Sequence, residues 1–297
     1  MKISIVTPFY EGNDYMPSYA AMLEQNEIAL QQAGLGDTME VILVNDSPQT
    51  AVKLPGIYNG RPNWKIVKNG KNLGIQGSRV HGLQEASGDY ILFLDQDDSL
   101  REDALVQFAA KAKEAPYKVI VANAILEQVN GEALWYRSDY HKSLIGDMDT
   151  YLDIGIQIIS PGQCVIPRMV IPDYWCDHVC KENGADDYYL WLLMLESGIG
   201  FEYLDEPLYR HRYTEKNLSA DTRVTDRSIY DFVQLLQEHP DFPPEYIYRL
   251  KRMIVYKANF RQSNLLQKVG LSLKNIDLLM KNLRFKRKTK TPYGFNR

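Results

Sequence analysis

The chain of 297 residues is long enough for one large α/β domain with an appendage or for two smaller domains, and its 45% hydrophobic and 24% charged residues exclude disorder as the default. The formal net charge is −4, but seven Lys and Arg residues fall in the last seventeen positions, so the remainder is strongly acidic, which argues against a nucleic-acid-binding protein. Because no apolar run approaches the roughly 18 residues of a membrane span and the N-terminal run is too short for a signal peptide, we expect a cytoplasmic protein whose three cysteines are reduced.

Short β-rich runs alternate with helical stretches along the first half, a pattern typical of an α/β protein with a Rossmann-like, mainly parallel sheet flanked by helices. The predicted strands are residues 3–7, 40–45, 65–68, 90–94, 118–124 and 133–140. The predicted helices are residues 16–33, 78–86 and 103–115, and Gly34 ends the first of them.

The second half begins with residues 146–175, where the sequence pattern gives only weak signals for helices or strands. A helix near Asp186 follows, with Leu190 and Leu193 on its apolar face, and then a short strand at 201–204. From about residue 221 the pattern is helical to the end. We therefore place a domain boundary at residue 220, with residues 221–297 forming a helical extension.

The strongest chemical feature is the acidic cluster that follows the apolar strand at 90–94. Asp95, Asp97 and Asp98 lie within four residues, and such carboxylates repel one another unless a cation or protons offset them. Carboxylate oxygens suit Mg²⁺ or Mn²⁺, and few protein ligands leave room for phosphate oxygens. The alternative is a solvated turn in which Asp98 or Ser99 caps the next helix.

Two other segments carry weaker signals for a ligand. Asp46, at the end of the second strand, would accept a hydrogen bond from a base or ribose, although such residues also make turns routinely. The glycines between Lys71 and Arg79 would let a ligand approach the backbone closely. The guanidinium of Arg79 could donate two parallel hydrogen bonds to a diphosphate. This segment is neither a Walker phosphate loop nor a dinucleotide fingerprint.

The other candidates lie in the second half. Asp186 and Asp187 stand at the mouth of a helix, where one can cap and the other can act as a general base in a cleft. Arg210, His211 and Arg212 cluster after the short strand in an otherwise acidic protein. Such a group would neutralise a departing diphosphate or complete the ligand shell of a metal ion. Considered without the other motifs, however, a run of charged residues is more often a solvent-exposed loop.

Taken together and in this order, the segments resemble the large family of inverting, family-two glycosyltransferases with the nucleotide-binding A-type fold. The matching blocks are Ser4 to Tyr10, Asn45-Asp46-Ser47, Asn72-x-Gly74 through Arg79, Gly88 to Asp98, Asp186-Asp187 before Leu190-Trp191, and Tyr209-Arg210 before His211. The resemblance covers residues 1–220 and implies a catalytic domain that binds a nucleotide-sugar, most simply a UDP-sugar.

The resemblance also implies roles for individual residues. The base and ribose would be surrounded by Thr7, Pro8, Tyr10, Glu11, Asp46 and Asn72. The donor phosphates would lie near Arg79, with Gln96 also at the donor and His211 or Arg212 assisting the diphosphate. The Asp-x-Asp motif would place Asp95 on ribose or metal and Asp97 on Mn²⁺ or Mg²⁺, with His211 as a further ligand. Asp187 would be the catalytic base, with Asp186 as the other candidate.

The chain departs from the family pattern at two of these blocks. The acidic pair usually begins with Glu where this chain has Asp186, so which carboxylate reaches the acceptor stays open. The second strand ends Asn45-Asp46-Ser47-Pro48, where a double acid followed by Gly is usual, so the base preference is open too. The Gln-x-x-Arg-Trp motif of processive synthases is missing, which favours single-sugar transfer over polymer extrusion.

The resulting expectation is transfer of one hexose or N-acetylhexosamine to a glycan or lipid-linked glycan during bacterial surface polysaccharide or glycoconjugate assembly. The alternatives are a non-catalytic sugar-nucleotide or glycan binding module and, less favoured, a sugar nucleotidyltransferase. The basic run from Lys281 to Lys290 would contact an anionic membrane surface, placing the protein peripherally at the inner face of the plasma membrane. The alternative for this run is a disordered tail.

Overall fold

A computed structural model describes residues 1–128, 131–212 and 222–291 of the chain. The strands of this described part form one sheet of nine strands, in the order β3-β2-β1-β4-β8-β6-β9-β5, with β7 paired to β6. The strands are β1 (Lys2–Phe9), β2 (Thr38–Asn45), β3 (Trp64–Lys68), β4 (Tyr90–Phe93), β5 (Ser99–Leu100), β6 (Val119–Gln128), β7 (Gly131–Leu134), β8 (Cys164–Pro167) and β9 (Phe201–Arg212).

Helices cover the sheet and make up the C-terminal part. They are α1 (Met16–Ala33), α2 (Gly74–Glu85), α3 (Ala104–Glu114), α4 (Asp139–Lys142), α5 (Met148–Asp153), α6 (Asp173–Asp177), α7 (Asp186–Glu196), α8 (Thr222–Glu238), α9 (Pro244–Gln262), α10 (Leu265–Lys274) and α11 (Ile276–Thr289). The predicted α/β class with a Rossmann-like sheet and a helical extension is confirmed.

The sheet has a parallel half and a mixed half. Strands β3, β2, β1 and β4 are mutually parallel, whereas β8 runs antiparallel to both β4 and β6. Strand β9 is parallel to β6 and shifts register beside Asn123. Strands β1 and β4 are buried almost throughout, which explains why β4 is continuously apolar and why β1 is apolar apart from Lys2 and the buried Ser4 and Thr7.

The N-terminal elements match their predictions closely. Helix α1 spans the predicted residues and ends at Gly34, whose left-handed φ of 64° is accessible to glycine without strain. Helix α2 begins one turn before the predicted start at residue 78, because its first amide groups, those of Leu73 and Gly74, donate to the Asp46 carboxylate. The segment from Gly74 to Arg79 is therefore helical, and the predicted helix start at residue 78 is four residues late.

Three predictions in the middle of the chain are wrong in part. The strand expected at 133–140 ends at Leu134, and Ser138 then caps helix α4 by accepting from the amide of His141. The weak stretch 146–175 contains β8, which is too short for a periodic signal yet lies near the centre of the sheet. Strand β9 runs to Arg212, well past the predicted end at 204, so the basic cluster belongs to a strand.

The predicted helical extension packs on the sheet domain through α8 and α9. Phe232 of α8 is fully buried against Tyr188 and Tyr189 of α7. Arg249 of α9 forms an ion pair with Asp153 of α5 at 2.7 Å. The domain boundary proposed at residue 220 lies outside the described residues and stays a prediction. No helix in the described ranges is long and apolar enough to cross a membrane.

Candidate active site

The site lies where β1, β2 and β4 end side by side. Their parallel register pairs Phe9 with Asn45 and Val6 with Phe93, so the residues that follow each strand reach the same edge of the sheet. A cleft of about 980 Å³ opens there, and the N-terminus of α7 and the end of β9 close its far side. Ligands of open parallel sheets bind at this edge because polar loops and helix N-termini converge on it.

The cleft brings together nearly all of the predicted site residues. Those lining it are Pro8, Tyr10, Glu11, Asp46, Asn72, Arg79, Asp95, Gln96, Asp97, Asp186, Asp187, His211 and Arg212. Thr7 is the exception, because its side chain is fully buried and hydrogen bonded to the Tyr19 hydroxyl of α1. Thr7 therefore shapes the end of β1 and does not face a ligand.

The side-chain amide of Gln96 holds the loop after β1 to the loop of residues 95–98 that follows β4, which we call the acidic loop. Its Nε2 donates to the Tyr10 carbonyl oxygen at 3.0 Å, and its Oε1 accepts from the Tyr10 backbone amide at 3.2 Å. A Cβ at Gly12 would lie 2.0 Å from Gln96 Oε1, so a larger residue there would displace the Gln96 side chain from these hydrogen bonds. Glu11 takes a left-handed φ of 49° between them. Gln96 thus sets the distance between the β1 and β4 sides of the cleft.

Asp46 organises the opposite wall through its carboxylate. It accepts from the Asn69 side-chain amide at 2.8 Å and from the backbone amides of Leu73 and Gly74 at 2.6 and 3.0 Å. A carboxylate at the first turn of α2 also interacts favourably with the helix dipole. Through these contacts Asp46 fixes the start of α2 and, with it, the position of Asn72 beside the cleft.

Arg79 ties the two acidic segments together and does not extend freely toward a ligand. Its Nη1 donates to Asp186 Oδ2 and its Nη2 to Asp95 Oδ1, both at 2.7 Å. Burial by itself would lower the pKa of Arg79, but the charges of Asp186 and Asp95 raise it above its usual value. The guanidinium therefore stays charged and joins both carboxylates through ion pairs.

The two consecutive aspartates of α7 have different surroundings. Asp186 is 2% exposed and is held by Arg79, whereas Asp187 lines the cleft and accepts only from the neighbouring amide of Tyr188 among the described residues. Burial, followed by the charge of Asp186, raises the pKa of Asp187 to about 7. A carboxyl group with this pKa is a suitable general base near neutral pH. The geometry favours Asp187 for that role and gives Asp186 a positioning role.

Asp97 and Asp98 of the acidic loop also differ in their surroundings. Asp98 is buried and accepts from the Tyr209 hydroxyl, while His211 Nδ1 lies 3.2 Å from its Oδ1. Burial would lower the pKa of His211, but the hydrogen bond and charge of Asp98 raise it. Asp97 lacks such a partner in the described chain, and burial followed by the charges of Asp98 and Asp95 raises its pKa to about 7.

A divalent cation at the acidic loop would need oxygen atoms from a bound phosphate group in addition to the protein side chains. Within the described ranges, no group of three or more His, Cys, Asp or Glu side chains is arranged to hold an ion by itself. Asp97 lies in a cluster whose negative charges raise its pKa, which is the charge imbalance that a cation relieves. His211 uses Nδ1 for Asp98, which leaves Nε2 as the ring nitrogen for an ion or a phosphate. Mg²⁺ is commonly bound by one or two carboxylates together with substrate phosphates.

Sequence reasoning missed three residues that build the cleft. Asn183 lines it and accepts from the amide of Ile75 at 2.9 Å, which joins the loop before α7 to the start of α2. Ser160, in the segment before β8, lines the cleft, and Tyr209 of β9 donates its hydroxyl to Asp98 of the acidic loop. No motif marked Asn183 or Ser160. Each of these depends on contacts between residues far apart in the chain.

A parallel sheet edge with an Asp-x-Asp loop on one side and a second acidic pair on a helix opposite defines the class of A-type glycosyltransferase folds. The sequence comparison agrees with the structure. The model of glycosyl transferase family 2 matches residues 4–175, which is more than half of the chain, and the chain belongs to that family.

Individual relatives are more distant. The chain is 31% identical over 108 residues, 36% of its length, to the succinoglycan biosynthesis protein ExoO of Rhizobium meliloti, and the match covers 30% of that protein. It is 26% identical over 136 residues, 45% of its length, to the poly(ribitol-phosphate) beta-N-acetylglucosaminyltransferase TarS of Staphylococcus aureus, and the match covers 22% of TarS. The chain therefore spans less than a third of the length of either relative.

A solved structure extends the likeness of the fold. The crystal structure of S. aureus TarS 1-349 in complex with UDP-GlcNAc superposes with a TM-score of 0.61 at 17% sequence identity. The match covers 92% of this chain and 76% of that one, so it includes most of the helical extension. At this identity the likeness establishes the fold alone.

Proposed function

We propose that this protein is an inverting glycosyltransferase that moves one sugar from a UDP-linked donor to a hydroxyl group of a glycan or lipid-linked glycan. The sugar would be a hexose or N-acetylhexosamine, and the product would enter a bacterial surface polysaccharide or glycoconjugate. Membership of glycosyl transferase family 2 and the TarS fold, crystallised with UDP and with UDP-GlcNAc, support this proposal.

The observation that carries the proposal is the separation of Asp186 and Asp187. Both aspartates line the cleft, but Arg79 holds Asp186 at 2.7 Å, whereas Asp187 accepts only from the Tyr188 amide among the described residues. Its pKa of about 7 means that it is substantially ionised at neutral pH and yet basic enough to accept a proton as a bond forms. A module that only bound the donor would have no use for this second carboxylate.

The donor would occupy the side of the cleft between β1 and α2. Tyr10, which is 53% exposed, offers a ring for stacking on the base, and Asn72 offers an amide for hydrogen bonding. Asp97, His211 and one oxygen of Asp95 would hold Mn²⁺ or Mg²⁺ against the diphosphate. When bound, the ion supplies Lewis acidity that stabilises the charge on the leaving group.

The chain's own residues would then act in one displacement. Asp187 takes the proton of the acceptor hydroxyl as its oxygen forms a bond to the anomeric carbon. The bond between that carbon and the diphosphate breaks in the same step, so the configuration inverts. Arg212, at the end of β9, faces the cleft and would neutralise the departing nucleoside diphosphate.

The test is a panel of nucleotide-sugars assayed for hydrolysis and transfer with Mn²⁺, combined with donor binding by calorimetry. We expect one or a few UDP-sugars to turn over, and Asp187→Asn to bind the donor normally while transferring no sugar. Donor binding without turnover of any sugar by the wild-type protein would contradict the enzyme proposal and favour a binding module.

A further inference from the structure

The last two helices carry large apolar side chains that are more than half exposed. On α10 these are Leu265, Leu266, Val269 and Leu273, which are 78%, 84%, 53% and 69% exposed. At the helical rotation of 100° per residue, these four positions fall within an arc of about 100°. They therefore form one apolar face, and Leu265 and Leu266 stand at the first turn of the helix.

Helix α11 continues this feature with a second apolar stripe. Ile276, Met280 and Leu283 are each more than half exposed and fall within an arc of about 60°. We call these seven residues of α10 and α11 the apolar face. Exposed apolar patches of this extent in a folded protein mark an interaction surface.

The opposite side of α11 is already used to dock it on the body of the protein. Leu278 and Thr289 are buried, and the Phe285 ring packs edge-on against His141 of α4. Lys281 forms an ion pair with Asp153 at 2.6 Å. The helix is thus firmly oriented, and the apolar face points away from the body.

The charged residues around the apolar face are predominantly positive. The segment from Leu265 to Lys290 contains eight Lys or Arg residues and one acid, Asp277, in a chain whose net charge is −4. Arg284 and Arg287 lie within one turn of Leu283 and are exposed. Apolar residues bordered by cations match the two layers of an anionic leaflet, whose acyl chains lie just below its negative head groups.

We propose that the apolar face docks in the interface of a bilayer leaflet that contains anionic lipid. The large apolar side chains enter the boundary between head groups and acyl chains, and the surrounding cations contact the head groups. The surface is wider than the basic run from Lys281 to Lys290, because α10 supplies the most exposed apolar residues. Lys281 does not contribute freely, since it is paired with Asp153.

A second copy of the chain is the competing occupant, and charge argues against it. Two copies joined through this face would bring two strongly cationic segments together, with Asp277 the one acid that each segment from Leu265 to Lys290 supplies. An anionic leaflet instead offers countercharges at every position around the face. The proposal is independent of the sugar-transfer reaction, because none of these residues lies in the cleft.

Co-sedimentation with vesicles tests the proposal. We expect the full chain to bind vesicles of 30% phosphatidylglycerol in phosphatidylcholine much more tightly than pure phosphatidylcholine vesicles, and to be weakened when salt is raised from 0.1 to 0.5 M. The double variant Leu265→Ser/Leu266→Ser should bind at least about tenfold less tightly, since both side chains would lose their burial. Arg284→Glu/Arg287→Glu should reduce binding to the anionic vesicles alone.

The matched control is Leu35→Ser/Ile57→Ser, which removes two apolar side chains of similar exposure, 57% and 66%, from the sheet domain. This variant should bind vesicles like the wild type, and all variants should keep the wild-type melting temperature and donor binding. Unchanged vesicle binding by the Leu265 and Leu266 variant would overturn the proposal. So would a dimer in sedimentation velocity that the same variant abolishes, because a second copy would then occupy the face.

Discussion

Replacing each aspartate of α7 separately by asparagine should separate a catalytic carboxylate from a positioning one. Asp187→Asn removes the proposed base without changing its size, and general base catalysis typically contributes 10² to 10⁴ in rate, or about 2.7 to 5.4 kcal/mol of barrier. The transfer rate should fall by that factor, whereas the dissociation constant of the donor should stay within about twofold.

The same substitution should have a pH-dependent effect on stability. The pKa of Asp187 is raised from 3.8 to about 7 on folding, so the ionised group destabilises the folded state as the pH rises through that interval. Asparagine removes this cost. We expect the free energy of unfolding of Asp187→Asn at pH 8 to exceed that of the wild type by about 1 to 3 kcal/mol, and the two to be equal at low pH.

Asp186→Asn should behave in the opposite way. It takes one charge from a buried ion pair in which the side chains of Asp186 and Arg79 are each 3% exposed, and breaking such a pair costs about 3 to 5 kcal/mol. Asp95 still compensates Arg79, so we take about 3 kcal/mol, which corresponds to a melting temperature lower by about 5 °C for a chain of this length.

The assays are thermal unfolding by circular dichroism at pH 5 and 8, and initial transfer rates measured well below each melting temperature. The structure requires Asp186→Asn to be destabilised with transfer retained in the folded fraction, and Asp187→Asn to be stable and inactive. A stable, inactive Asp186→Asn together with a nearly normal Asp187→Asn would refute the assignment of the base.

Three further predictions concern the rest of the cleft. Activity should increase with pH between 6 and 8 with an apparent pKa near 7, because Asp187 must lose its proton to act; a flat profile measured with saturating donor would contradict this. Gly12→Ala would push a Cβ against Gln96 and should raise the KM for the donor at least about tenfold, whereas Gly56→Ala, which meets no atom within 4 Å, should leave it unchanged. Chelation with EDTA should abolish transfer reversibly, and Asp97→Asn should require a much higher Mn²⁺ concentration for half-maximal rate; transfer at the full rate after exhaustive chelation would show that no divalent ion is needed.

Much of the fold follows from local pattern. The apolar runs of β1 and β4 and the glycine after α1 are signals carried by a few adjacent residues, and the predicted elements there agree with the structure. Strand β8 has no such signal, because it is four residues long and is defined by its pairing with β4 and β6. Strand β9 was predicted too short, since the proline at 207 and the register shift beside it interrupt the pattern.

The residue types of the site were also predictable, but their pairing was not. Motifs placed Asp95, Asp97, Asp187 and His211 at the ends of strands and at the start of a helix, and the cleft contains all four. Arg79 was expected beside a phosphate and instead lies between two carboxylates. The pair of Arg79 with Asp186 joins positions 107 residues apart in the chain, which no local pattern reports.

The sequence by itself determined the class of fold, the order of the elements and the set of polar residues at the sheet edge, because each depends on neighbouring positions and on the rule that parallel strands end together. Only the tertiary structure decided which aspartate of α7 is held by Arg79, that Asp98 is a buried partner of His211, and that the basic C-terminal segment is a docked helix with an outward apolar stripe. The physical reason is that burial and charge pairing arise from the packing of distant segments. Those two quantities determine which carboxylate reacts and which holds the site together.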